Sequence, residues 1–83
     1  MTQIPPRLRW QCRRGMLELD VLLGNFLEQA YLKLTPTDQE LFTKLLDCND
    51  QELFLWLTGK EPPVDPHLLT MVEKVREHAR THR

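Results

Sequence analysis

The chain has 83 residues, of which 41% are hydrophobic. This length allows one small domain with a modest core, and it leaves little room for a buried catalytic cleft as well. The net charge of −1 hides a segregation, because residues 1–14 carry four arginines and no acid whereas residues 15–70 carry ten acids and three lysines. A small nucleic-acid binder is usually basic along a whole face, so this local basic segment disfavours nucleic acid and favours a protein partner.

Neither the cysteines nor the histidines form a motif typical of catalysis or metal binding. Cys12 and Cys48 lack the CxxC spacing, and no phosphate loop or nucleophile elbow is present. His78 and His82 are four residues apart, but two solvated histidines are the simpler expectation near a basic helix end. No signal peptide and no apolar run of about 20 residues is found. We therefore expect a cytoplasmic protein without membrane insertion, bound metal, stably bound cofactor or enzymatic activity, with reduced thiols.

A first helix is predicted over residues 7–14, after two prolines that suit a helix start. In a helix Leu8 and Cys12 share one side. The second stripe consists of Arg7, Trp10 and Arg14. Trp10 is open to two interpretations: it packs into the core, or it is an exposed anchor flanked by arginines, which are residue types enriched at binding hot spots.

Gly15 breaks or bends the path before a long amphipathic helix, which is predicted from Met16 to about Lys33. Its wide apolar face contains Met16, Leu19, Leu22, Leu23, Phe26, Leu27 and Ala30. Leu17, Val21 and Gly24 fall outside that face and form a smaller patch beside Glu18. Either another helix of the domain or a partner covers this patch, and the sequence leaves both open.

Three further helices follow from their start signals. Thr35-Pro36-Thr37-Asp38 combines an N-cap, a proline at the first position and an acid in the first turn. Asn49-Asp50-Gln51-Glu52 resembles a capping box, and Gly59 fits the C-terminal end of that short helix. Asp65-Pro66 opens the last helix, whose expected core face is Leu68, Val72, Val75 and Ala79.

No segment alternates apolar and polar residues with the period of a strand. The sequence therefore predicts an all-α fold, with a single small domain of about five helices over residues 1–83 and an ordered part at about 6–80. The side chains expected in one core are Leu22, Phe26, Leu45, Leu53 and Val72.

The stretch around Gly15 resembles the signature of the SdhE family, namely Arg14-Gly15-x-x-Glu18 within Trp10-x-Cys12-Arg13-Arg14-Gly15-Met16-x-Glu18-Leu19-Asp20. A second block is similar to another part of that family, namely Leu45-Leu46-Asp47-Cys48-Asn49-Asp50-x-x-Leu53-Phe54-x-Trp56-Leu57. Together the two blocks extend the resemblance over about residues 7–77. The departures are Leu17, where some relatives have a charged residue, and Asn49, where an acid can occur.

SdhE proteins promote covalent attachment of FAD to the flavoprotein subunit of succinate dehydrogenase and, in bacteria, of fumarate reductase. The resemblance implies a monomeric, chaperone-like helper that docks near the FAD site of the flavoprotein and contributes positioning rather than catalytic groups. It leaves open whether the helper itself binds FAD and which flavoprotein it prefers. The residues assigned to the partner surface are Arg7, Trp10, Arg14, Gly15, Leu17, Glu18, Asp20 and Val21.

Three further hypotheses concern Glu18 and the function as a whole. Arg14 and Glu18 are four residues apart, so we expect them to pair in the free protein. Glu18 as a general acid or base is the weaker interpretation, because partly exposed glutamates near arginines are more often ion-pair or recognition groups. Some relatives carry an older label as the antitoxin of a cytotoxic membrane protein, so an antitoxin-like interaction module unrelated to flavin is the alternative function.

Overall fold

The computed structural model describes residues 3–81, and within them every regular element is helical. The elements are α1 (Pro6–Gln11), α2 (Leu17–Ala30), a 3₁₀ turn (Tyr31–Lys33), α3 (Pro36–Leu46), α4 (Asp50–Leu57) and α5 (Pro66–Thr81). The predicted all-α class with five helices is therefore confirmed. The expectation for His82 lies outside the described residues, and the predicted limits of the ordered part stay a prediction. Among the described residues, no helix is long and apolar enough to cross a bilayer.

The predicted start signals of the later helices are made by side-chain caps. Thr35 Oγ1 accepts a hydrogen bond from the Asp38 N–H at 3.2 Å, and Asn49 Oδ1 accepts one from the Glu52 N–H at 2.8 Å. Each bond satisfies one of the N–H groups that a helix leaves without a partner at its first turn. Local sequence chemistry therefore fixes where α3 and α4 begin.

The end of α4 is a Schellman motif, as the position of Gly59 predicts. Gly59 has φ +80°, its N–H donates to Trp56 O at 3.2 Å, and the Lys60 N–H donates to Leu55 O at 3.0 Å. The Arg76 guanidinium lies over this glycine, 2.6 Å from the position that a Cβ would take. The motif turns the chain into the proline-rich loop that leads back to α5.

One core joins the helices, and it contains most of the predicted side chains. Phe26, Leu45, Leu53 and Val72 are at most 2% exposed. Leu22 is only partly buried, which corrects the prediction for that residue. The apolar face of α2 is wider than the surface that its neighbours cover, so Leu22 lies at its margin, beside a shallow groove. On α5 the fully buried Met71 belongs to the core although the predicted core face omits it.

The first helix is shorter than predicted. Helix α1 ends at Gln11, and Cys12 follows as its C-cap. Leu8 and Cys12 enter the core as expected. Arg14 lies beyond the helix, so it does not share a helical stripe with Arg7 and Trp10, and this part of the prediction is wrong.

Candidate partner-binding site

Residues 12–16, which link α1 to α2 and are called the linking segment below, are irregular. The backbone conformation of Gly15 determines the path of this segment. Gly15 has φ +83°, a left-handed conformation that only glycine adopts without strain. Apart from its two chain neighbours, no described residue has an atom within 4 Å of the position that a Cβ would occupy. The glycine is therefore required by the backbone, and the space beside it is open to an approaching partner.

The side chain of Arg14 is used inside the protein. Its Nε donates to Asp50 Oδ1 at 2.7 Å, and its Nη1 donates to the carbonyls of Gln11 and Leu46, both at 2.9 Å. Its Nη2 donates to Cys48 O at 2.6 Å, and only 15% of the side chain is exposed. A guanidinium has five N–H donors. Four bonds leave it little capacity for a partner.

The expected pair of Arg14 and Glu18 is not formed, which corrects that prediction. The chain is not helical between these residues, so the spacing of four does not place them on one face. Arg14 instead reaches the carboxyl end of α3 and the start of α4. The last carbonyls of a helix lack partners and carry a partial negative charge, which attracts the cation together with the carboxylate of Asp50.

Asp20 holds the same segment from the other side. Its Oδ1 accepts a hydrogen bond from the Arg14 N–H at 2.6 Å, and the residue is partly buried in the first turn of α2. This bond fastens the backbone of the linking segment to α2. Within the described fold, Arg14 and Asp20 therefore organise the segment.

The remaining assigned residues are exposed. Trp10 is 72% exposed, Leu17 80% and Val21 49%. Trp10 therefore does not pack into the core, its role as a binding anchor stays a prediction, and no other helix covers the Leu17/Val21 patch. Arg7 is exposed as well. Glu18 is exposed and forms no hydrogen bond or ion pair with residues 3–81. These side chains are available for contact with another molecule.

Basic side chains surround the exposed tryptophan. The guanidinium carbon of Arg13 lies 5.6 Å from the centroid of the Trp10 ring, which is the range of a cation–π interaction. Arg9, on the same helix, forms an exposed ion pair with Glu28 of α2. Such a pair adds little stability and is easily exchanged for other charged groups.

A cleft of about 550 Å³ separates α1 and its linking segment from α2. Arg9 and Arg13 lie on its first side, Glu28 lies on α2, and Gly15 and Gly24 add no side chains that would fill it. Its walls therefore carry both signs of charge.

The cysteine that borders the cleft is not a nucleophile. Burial raises the pKa of the Cys12 thiol to about 11, and the Sγ donates to Leu23 O at 3.7 Å. Because the thiolate is the reactive form, a thiol with so high a pKa is inert near neutral pH. Within residues 3–81 no group of three or more His, Cys, Asp or Glu side chains is arranged to hold a metal.

Sequence reasoning missed the ion pair of Arg14 with Asp50 and that of Arg9 with Glu28. Asp50 and Arg14 are 36 residues apart in the chain, so no local pattern links them. One signal was available: Arg14 belongs to the first sequence block of the family resemblance and Asp50 to the second. The pair formed by Arg9 and Glu28 has no such signal, because both residues lie on exposed faces.

Comparison with known proteins gives concordant matches over most of the chain. The model of the Sdh5 family, described as flavinator of succinate dehydrogenase, matches residues 6–79. The FAD assembly factor SdhE of Shewanella oneidensis is 52% identical over 73 residues, which are 88% of this chain and 89% of the relative. The protein of the same name from Pseudomonas putida is 50% identical over 80% of this chain and 79% of the relative. The one from Aliivibrio fischeri is 42% identical over 87% of this chain and 84% of the relative.

Proposed function

The chain belongs to the Sdh5 family of succinate dehydrogenase flavinators, and we propose that it is an FAD assembly factor. It promotes covalent attachment of FAD to the flavoprotein subunit of succinate dehydrogenase by binding that subunit as an assembly chaperone. The observation that carries this proposal is the linking segment. There the fold holds Gly15 in a left-handed conformation and leaves the adjacent Leu17 and Glu18 without an internal role.

The proposed mechanism is positioning. The new bond joins a histidine nitrogen of the flavoprotein to the 8α-carbon of the flavin. One C–H bond of that methyl group breaks as its proton is lost, and the electron pair passes into the isoalloxazine ring, which is thereby reduced. Every reacting atom therefore belongs to the flavoprotein or to FAD. A helper that aligns the flavoprotein domains around histidine and flavin raises the rate without a catalytic residue, because correct orientation alone removes part of the barrier. This proposal also states that the protein has no enzymatic activity of its own and binds no cofactor stably.

The proposed interface combines apolar anchors with charges. Trp10, Leu17 and Val21 supply exposed apolar area, and aromatic and arginine side chains are the usual hot spots of interfaces. Glu18 is free to make a charge-assisted hydrogen bond with a cation of the flavoprotein. Arg7 adds positive charge, Gly15 permits close backbone approach, and Arg14 and Asp20 keep the segment in place.

The test is reconstitution of flavin attachment. The apo-flavoprotein subunit of succinate dehydrogenase is incubated with FAD, with and without this protein, and in-gel flavin fluorescence is measured after denaturation. We expect fluorescence to rise with the protein, and equal fluorescence in both samples would contradict the proposal. If the protein is instead an antitoxin-like module unrelated to flavin, the fluorescence should be equal in both samples.

The same assay extends the proposal to fumarate reductase, whose flavoprotein subunit replaces the first partner. We propose that the protein also promotes FAD attachment to the flavoprotein subunit of fumarate reductase, as the resemblance implies. The monomeric state and the cytoplasmic location stay predictions of the sequence.

A further inference from the structure

We propose that Asp50 is a positioning residue for the linking segment: through Arg14 it holds Gly15 beside the start of α2 in the arrangement that the flavoprotein contacts. This inference rests on the proposed function. Asp50 lies outside the proposed contact surface, in the first turn of α4. It contacts the linking segment only through its hydrogen bond with the guanidinium of Arg14, among the bonds of the described residues.

The first step is the geometry of the guanidinium. Asp50 Oδ1 accepts from Nε at 2.7 Å, and Cys48 O accepts from Nη2 at 2.6 Å. A guanidinium is planar and its donors point in fixed directions. These two bonds from different nitrogens therefore set its plane, and Asp50 is the only side chain among the described residues that takes part in doing so.

The second step is the position of Arg14 in the linking segment. Its side chain is fastened to the junction of α3 and α4, and its backbone N–H is fastened to Asp20 of α2. Gly15 follows directly, with open space around it. The buried Leu19 and Leu23 hold α2, and with it Leu17 and Glu18, in place on the core. Gly15 lies outside the helices and is exposed, so its position relative to Leu17 and Glu18 depends on the bonds that Arg14 makes.

The third step explains why the two sequence blocks occur together. The exposed surface uses only the first block, whereas Asp50 and the carbonyls of Leu46 and Cys48 belong to the second. The second block therefore supplies the acceptors that bind Arg14 of the first block. Its contribution to docking is therefore indirect.

Two matched variants test this inference, Asp50→Asn and Glu52→Gln. Both remove one negative charge from the first turn of α4, but the exposed Glu52 side chain forms no bond with Arg14. Flavin attachment is measured against helper concentration, at a temperature where melting curves show that all variants are folded. For Asp50→Asn we expect the half-maximal helper concentration to rise about threefold to thirtyfold with an unchanged plateau. Glu52→Gln is expected to change it less than twofold.

A second pair of variants tests whether Asp50 acts through Arg14. Arg14→Lys keeps the charge but cannot supply the planar fork. If both residues act through one clamp, adding Asp50→Asn to Arg14→Lys raises the half-maximal concentration less than twofold further. Multiplication of the two separate effects would overturn the inference.

A readout on the free protein separates failure of this inference from failure of the proposed function. The order parameter of the Gly15 amide, measured by NMR relaxation, is expected to fall toward flexible values in Asp50→Asn and to stay unchanged in Glu52→Gln. If the parent does not promote flavin attachment, the proposed function fails, and this readout alone decides whether the clamp exists. An unchanged order parameter in Asp50→Asn, or equal concentration shifts in both variants, would overturn the inference.

Discussion

At the scale of single residues, Glu18 is a charged group that the fold does not use. Its side chain is exposed and unpaired within the described residues, so Glu18→Ala should change the free energy of unfolding by no more than about 0.5 kcal/mol. A central charged contact in an interface costs about 2 kcal/mol when truncated, which corresponds to about a thirtyfold loss of affinity. We therefore expect a normal melting curve but failed flavin attachment at limiting helper concentration.

Glu40→Ala is the matched control for this prediction. Glu40 is an exposed glutamate on α3 without a bond to any described residue. Its truncation should affect neither melting nor flavin attachment. Normal attachment by folded Glu18→Ala at limiting concentration would remove Glu18 from the interface.

Gly15 and Gly59 form a second residue-scale comparison. Gly15→Ala should cost about 1–2 kcal/mol, because alanine is strained at φ +83° although no neighbour obstructs its Cβ. Gly59→Ala should cost about as much, because it has nearly the same φ of +80° and the Arg76 guanidinium, 2.6 Å from its Cβ position, is the end of a flexible exposed side chain that can move away. Urea unfolding measures both changes.

The two glycine variants should nevertheless differ in function. Gly15→Ala places a methyl group where the partner approaches, whereas Gly59 lies at the far end of α4. At equal concentrations of folded protein, only Gly15→Ala should impair flavin attachment. An impaired Gly59→Ala together with a normal Gly15→Ala would contradict the assignment.

The buried thiol makes stability depend on alkaline pH. Burial raises the pKa of Cys12 from 9.0 to about 11, so between these values the unfolded chain loses the thiol proton while the native protein keeps it. Stability from this group is complete below pH 9 and is lost as pH rises to about 11. Denaturant unfolding of parent and Cys12→Ala should show a decline over this range that is shallower in the variant. Parallel declines would contradict this prediction.

At the scale of elements, Gly24 is an unfavourable residue in the interior of α2. Glycine costs about 1 kcal/mol relative to alanine in a helix. Outside the adjoining backbone of α2 and the two chain neighbours, no atom of residues 3–81 lies within 4 Å of the Gly24 Cβ position. We therefore expect Gly24→Ala to stabilise the free protein by about that amount, as measured by urea unfolding. A loss of stability would show that the helix needs the glycine for packing.

The elements also show what a sequence can predict. The starts of α3 and α4 and the end of α4 depend on residues within five positions of one another, so Thr35, Asn49 and Gly59 sufficed to find them. The early end of α1 depends on Arg14 leaving the helix for acceptors more than 30 residues away, which no periodicity reveals. Periodicity placed Phe26 in the core but could not show that Leu22 lies at its margin.

At the scale of the whole molecule, the segregated charge acts on the encounter with the partner. Arg7, Arg9 and Arg13 are exposed on α1 and the linking segment, whereas Arg14 is not available because its charge is paired with Asp50. Exposed charges mainly raise the association rate, and salt screens them, with a Debye length of about 10 Å at 0.1 M. We therefore expect the rate constant for association with the flavoprotein to fall as salt rises, and the dissociation rate to change little.

Stopped-flow mixing at low and high ionic strength measures both rates, and two charge variants localise the effect. Arg7→Gln should lower the association rate at low salt and reduce its salt dependence. Lys33→Gln removes an exposed cation from the 3₁₀ turn, outside the basic segment, and should have a smaller effect. If both variants lower the rate equally, the net charge of the protein steers the encounter and the arginines of the first segment have no special part in it. An association rate that is independent of salt would exclude steering altogether and leave Trp10, Leu17 and Val21 as the main source of binding.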